Sequence, residues 1–137
     1  MTRRLGRLSA SPLLLLPLLL GIIACGDSAP ETRTPAEAYT AFFERLESGD
    51  RTEALETLAP EGVLGDTFRG GSYFMTAEVV EEQIESRGGL DSIIIDEEAE
   101  LPDEEVRVEG RLRFADGSEE PRRIIFFREG DRWVGRL

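Results

Sequence analysis

One stretch near the C-terminus restricts the fold more than any other. From Glu105 to Phe114 the chain alternates without a break. Val106, Val108, Gly110, Leu112 and Phe114 take one parity; Glu105, Arg107, Glu109, Arg111 and Arg113 take the other. Successive side chains of a strand point to opposite faces, so this segment reads as a strand with one face on a core and one in water. Antiparallel sheets tolerate such a wet face. Asp116-Gly117 follows as a hairpin signal. Arg122 to Arg128 returns, carrying Ile124, Ile125, Phe126 and Phe127. Gly130-Asp131 turns again, and Arg132 to Leu137, with Trp133, forms a last strand. Ahead of the alternating stretch, Ile93-Ile94-Ile95 follows the Gly88-Gly89 pair. It is β-branched and too short for a helix, so it reads as a strand. Leu101-Pro102-Asp103 turns that strand into the next, which completes a four-stranded meander.

Helical periodicity precedes the strands. Thr34-Pro35-Ala36-Glu37 has the form of a capping box with proline at the first helical position. Tyr39, Phe42, Phe43 and Leu46 then recur on one helical face. Asp50 and Glu53 suggest a second capping box after Gly49. The helix it opens carries Ala54, Leu55 and Leu58 and closes at Pro60. Residues 61–72 read as a surface loop with a hinge-like Gly70-Gly71, and Thr76 as the cap of a third helix running to about Arg87. Helices followed by an antiparallel meander make an α+β domain. The N-terminal helices are expected to pack on a curled four-stranded antiparallel sheet. The aromatic face of the first helix is expected to meet Phe114, Trp133 and the third strand.

The first 24 residues have a different character. Arg3, Arg4 and Arg7 precede an apolar run from Leu13 to Ile23, interrupted by Pro17 and Gly21. That run has the length of a signal-peptide core and is short for a spanning helix, which wants about 20 apolar residues. Ile22-Ile23-Ala24-Cys25 ends it with the sole cysteine. These four residues resemble the lipobox of bacterial lipoproteins. The resemblance implies cleavage before Cys25 and acylation of Cys25 by two or three chains such as palmitate, enough for stable anchoring. The expected organisation is a signal peptide at 1–24, a lipidated tether at 25–33 and one domain at 34–137. The expected address is extracytoplasmic, on the cell membrane or outer membrane. In the lipoprotein class of enteric-type bacteria, aspartate after the cysteine favours the inner membrane; Gly26 leans toward the outer one.

Charge excludes several functions. All 16 basic residues are arginine, and histidine, lysine and asparagine are absent. Setting aside the three arginines before Cys25 leaves 13 basic residues against 28 acidic ones, a net charge of about −15. Nucleic-acid binding needs a basic surface to displace counterions, so it is not expected. The same sign opposes electrostatic attraction to anionic lipid. Without histidine there is no His-based triad or His metal site. The acidic runs Asp96-Glu97-Glu98 and Asp103-Glu104-Glu105 lack the glycine and alternating oxygens of a calcium loop. They read as solvated strand ends and turns. No metal or other cofactor is expected.

The domain also resembles a family of bacterial lipoproteins with a cystatin-like, nuclear transport factor 2-like fold. The likeness rests on a helix ending in Gly49-Asp50, the run Gly88 to Ile93, the Asp116-Gly117 hairpin and the closing Glu129 to Trp133. It implies the fold and no activity, since one fold hosts many functions. The expected function is a non-catalytic binding or assembly domain at the cell envelope, held to the membrane through lipid on Cys25. Tyr39, Phe42, Phe43, Phe114, Phe126 and Trp133 are candidate lining for a small apolar ligand, or simply core. The charged strand face, Glu105 to Arg113, is the candidate surface for an envelope protein partner. The alternative is a small isomerase- or hydratase-type enzyme using the helix–sheet pocket. Tyr39 would then supply an oxyanion-hole hydroxyl, with Asp66, Asp91 or Asp96 as acid candidates.

Overall fold

The computed structural model describes residues 33–137. Cys25, the apolar run and most of the tether lie outside the described residues. Three helices precede four strands: α1 (Pro35–Glu47), α2 (Arg51–Leu58), α3 (Arg69–Ser86), β1 (Leu90–Glu100), β2 (Val106–Phe114), β3 (Glu119–Glu129) and β4 (Arg132–Arg136). The strands form one antiparallel sheet in the order β1-β2-β3-β4, which stays open. The α+β meander read from the sequence is therefore the observed fold.

The first helix begins as its sequence dictates. Glu37 N donates to Thr34 Oγ1 at 3.2 Å, and Thr34 N donates to Glu37 Oε2 at 2.8 Å. This reciprocal pair satisfies two of the backbone donors that a helix start leaves open. Tyr39, Phe42, Phe43 and Leu46 then face inward, each at most 2% exposed. They meet Val108, Leu112 and Phe114 of β2 and Ile124 and Phe126 of β3 in one core.

Three local expectations are corrected. Asp50 makes no capping hydrogen bond through its side chain, so the second capping box is not formed. The third helix starts at Arg69, well before Thr76, and Gly70-Gly71 belongs to its first turn. The Asp66 carboxylate accepts from Phe68 N at 2.9 Å and Arg69 N at 2.8 Å, which supplies the helix start. Thr76 sits mid-helix and returns its hydroxyl to Ser72 O at 3.0 Å. Gly70 is required there because a Cβ would come within 2.8 Å of the Val63 and Leu64 carbonyl oxygens. Finally, β1 runs on to Glu100, so Asp96-Glu97-Glu98 lies within the strand, with Glu97 and Glu98 paired to β2 and Asp96 at the register shift, and is not a strand end.

Gly110 is the residue on which sheet and helix meet. The register shifts between Ile95 and Glu97, opposite Gly110. A Cβ at Gly110 would run into Ile94 O of the neighbouring strand and lie 2.9 Å from the Tyr39 hydroxyl. Glycine inside a strand commonly marks such a close approach. Gly110→Ala is expected to lower the unfolding free energy by about 1–3 kcal/mol, the usual cost of overpacking a core. Urea denaturation monitored by far-UV circular dichroism measures it; an unchanged midpoint would contradict this packing.

Candidate functional site

The six aromatic candidates divide between two environments. Tyr39, Phe42, Phe43, Phe114 and Phe126 are buried in the core. The Tyr39 and Phe43 rings meet edge to face at 4.8 Å between centroids, and Phe42 and Phe43 at 5.1 Å. Edge-to-face contact is a favourable arrangement of aromatic quadrupoles. These rings occupy the space between α1 and the sheet. Phe42 and Phe43 also border a small cleft of about 140 Å³ beside Pro121 and Leu137. Trp133 is different: it is half-buried at the edge of the core.

Tyr39 has its hydroxyl engaged. It donates to the Arg122 carbonyl at 3.2 Å. Burial holds its pKa well above the ordinary phenol range; the Arg122 charge opposes that rise and the Asp96 charge adds to it. Of the acid candidates, Asp66 caps α3, and its carboxyl is held below 3.8 chiefly by the backbone N–H groups of Arg69 and Phe68. Asp96 is exposed on the sheet's outer face beside Arg111, and Asp91 is exposed near the start of β1. The structure does not bring any of the three to the Tyr39 hydroxyl as a hydrogen-bond partner.

The groove containing Trp133 opens beside the start of α1. It measures about 560 Å³ and is lined by Pro35, Glu98, Glu100, Leu101, Glu104, Glu105, Val106, Arg128 and Trp133. The register explains it. Glu98 and Glu100 pair with Val108 and Val106 and so take inner-face positions. The connection from β1 to β2 then holds Asp103 at φ 65° and Glu104 at φ 59°. Left-handed backbone is uncommon outside glycine, and two such residues in succession are a local strain. The Arg128 guanidinium stands 4.5 Å from the Trp133 ring centroid. Arg136 crosses to Glu105 at 3.1 Å.

A second cleft of about 640 Å³ lies between the α2–α3 connection and the β3–β4 turn. Arg132 organises it by donating to Glu56 O at 2.9 Å and Ala59 O at 2.8 Å, the open carbonyls at the end of α2. Among the described residues no group of three or more acidic or sulfur ligands is placed to hold a metal ion. No described helix is long and apolar enough to cross a membrane.

The outer sheet face pairs its own charges. Arg111 reaches Asp96 at 2.8 Å and Glu119 at 2.8 Å, and Arg113 reaches Glu119 at 2.7 Å. Arg107 reaches Glu97 at 3.2 Å and Glu109 at 3.1 Å. Hydrogen bonds from Arg111 hold the Asp96 carboxyl below its ordinary 3.8, and those from Arg113 and Arg111 hold Glu119 below 4.5.

No protein-family model matches this sequence, and no curated protein matches it either. Among solved structures, the crystal structure of a Campylobacter jejuni protein described as a candidate NTF2-like transpeptidase is similar to this chain. Identity is 16%, the TM-score is 0.63, and the match covers 77% of this chain and 99% of that one. At that identity the likeness shows the fold alone, which is NTF2-like.

The depressed carboxyls make a prediction with a definite sign. A lowered folded-state pKa stabilises the fold above the unfolded value, and that contribution is lost as pH falls through the folded value. Arg111→Gln is therefore expected to lower the melting temperature at pH 7 and to have little effect well below pH 3.8. The difference between the two proteins should shrink as pH drops from about 5. Thermal melts across that range check it; a difference independent of pH would contradict the pairing.

Proposed function

We propose that the chain is a lipid-anchored protein of the cell envelope whose NTF2-like domain is a non-catalytic binding or assembly module. Cys25 carries the lipid, and residues 26–33 are the tether between it and the domain. The observation that carries the binding half of this reading is the division of the aromatic residues. Five rings are buried in the core, while Trp133 is half-buried and edges the 560 Å³ groove. Recognition then falls to the outside of the domain. The groove offers an indole, a leucine and a rim of glutamates, a combination suited to an extended segment of an envelope protein that carries basic residues. Its position beside Pro35 puts it next to the point where the tether enters.

The enzyme reading has less support. Tyr39 is the hydroxyl it would use, and that hydroxyl is already bound to a backbone carbonyl. Asp66 and Asp96 are engaged in capping and in the outer ion-pair network. The transpeptidase description of the Campylobacter protein brings no residue with it at this level of identity.

Two experiments test the two halves. Replacing Cys25 with Ser is expected to move the chain from the membrane to the soluble fraction and to remove the lipid from its mass. Unchanged membrane association at unchanged mass would sink the anchor. For the groove, a photoreactive residue placed at Leu101 is expected to cross-link an envelope protein in the native host. Trp133→Ala should reduce that product at least fivefold. Equal cross-linking from Arg123 on the opposite sheet face, or no product from Leu101, would refute the groove as the binding surface.

A further inference from the structure

α3 is apolar on two sides. Gly70, Ala77, Val80 and Ile84 face the interior. On the other side Met75 is 68% exposed and Val79 52%, and Phe68, the turn residue just before the helix, is 90% exposed. With exposed Ser72 between them, these positions follow the four-three-four spacing of one helical stripe. Singly scattered exposed apolar residues need no explanation, but these three share one side of the helix and its entry.

Where the chain enters the domain says what covers the stripe. Pro35, at the start of α1, shares a groove with Arg128 and Trp133. Glu129, Gly130 and Arg132, the intervening turn, share the adjacent cleft with Leu64 and Gly65. Gly70, in the first turn of α3, lies against the Val63 and Leu64 carbonyls. The start of α1 and the Phe68 end of α3 are thus at the same end of the domain. The far ends of both helices sit together at the β2–β3 hairpin: Glu47 accepts from Leu90 N, and Asp116 N donates to Arg87 O. α1 and α3 therefore run side by side in the same direction. Nine peptide steps from Cys25 to Thr34 span at most about 30 Å. The 18 residues of α3 span about 27 Å. The extended connection is thus as long as α3, so a bilayer holding Cys25 can lie alongside that helix.

We propose that the Phe68–Met75–Val79 stripe of α3 rests in the headgroup–acyl boundary of the bilayer that carries the anchor, laying the domain on its side. This rests on the anchor reading given above. The lipid surface it fits is zwitterionic. Glu78 and Glu82 flank the stripe, and the basic flank that favours anionic lipid on interfacial helices is missing apart from Arg69. Three side chains bind a membrane weakly by themselves. The anchor converts that weak contact into an intramolecular one at high effective concentration.

The test uses the full chain, lipidated by its host and reconstituted into phosphatidylcholine vesicles with brominated acyl chains. Trp133 is the only native tryptophan, so it gives the baseline emission. The emission added by F68W is expected to be quenched at least twofold relative to unbrominated vesicles. Adding M75S and V79S to F68W should restore it. Since Phe68 is exposed, F68W does not disturb the core, and V79W provides an independent second reporter. Intact lipid mass on Cys25 with no quenching of either reporter overturns this inference and leaves the anchor standing. A mass without lipid overturns the anchor reading, and this one with it. A dimer mass released from the vesicles, again with unquenched reporters, assigns the stripe to a second copy and overturns the membrane contact.

Discussion

The fold depends on a helix approaching a strand more closely than a side chain would allow. Tyr39 lies against the backbone of Gly110, and the register shift in β1 opposite it brings Ile94 O to the same place. Everything inward of α1 follows. With Tyr39 seated, Phe43 packs edge-on to it and Phe42 edge-on to Phe43. The ring cluster then defines the distance between helix and sheet. Gly135 repeats the device on β4, where a Cβ would collide with Leu58 and Ile124. Glycine costs a strand conformational entropy, but at these two positions any larger residue would cost more in steric overlap.

This close approach explains why the space between helix and sheet is filled. A fold with a helix across a sheet can enclose a pocket or fill it. Here Tyr39, Phe42 and Phe43 of α1 are large, and the facing positions on β2 carry valine, leucine and phenylalanine besides Gly110. Filling removes apolar area from water at roughly 25 cal/mol per Å². The Tyr39 hydroxyl would be costly to bury unpaired, and its bond to the Arg122 carbonyl removes that cost. The charged strand face is likewise turned on itself: each of Arg107, Arg111 and Arg113 has a carboxylate partner across or along the sheet.

Much of this was legible in the sequence, and the failures have physical causes. Strict alternation in β2, the Asp116-Gly117 turn and the Thr34 capping box are local signals, and the structure carries all three. The early part of α3 was hidden by Gly70-Gly71. Two glycines weaken a helix by propensity, yet Gly70 is there because a tertiary neighbour leaves no room for a side chain. Asp66 was the available signal, two and three residues ahead of the amides it caps, but it was weighed as a catalytic acid and not as a cap. The length of β1 was hidden by its acids. Glu98 and Glu100 stand at inner-face positions, where alternation predicts apolar residues, because they line an open groove there. Their burden is electrostatic, and it becomes visible only once the register is known. Sequence alone does not separate Trp133 from the rings of the core.

The two ends of the domain are built differently. At the hairpin end, Ala115 N donates to Gly89 O at 3.0 Å and Asp116 N to Arg87 O at 3.2 Å, while Glu47 holds Leu90 N at 2.9 Å. Helix ends and strand ends are tied there by two backbone bonds and by the Glu47 carboxylate. At the other end the elements meet around two open clefts, bridged mainly by side chains such as Arg132. Backbone ties between elements leave little to be exchanged for a ligand, whereas a side-chain bridge across a cleft can yield to one at small cost. The chain also enters at this looser end, through a proline locked by a capping box. If Cys25 carries a lipid, the clefts and the exposed start of α3 are the parts of the domain held nearest the membrane, and the ion-paired sheet face is left to solubility.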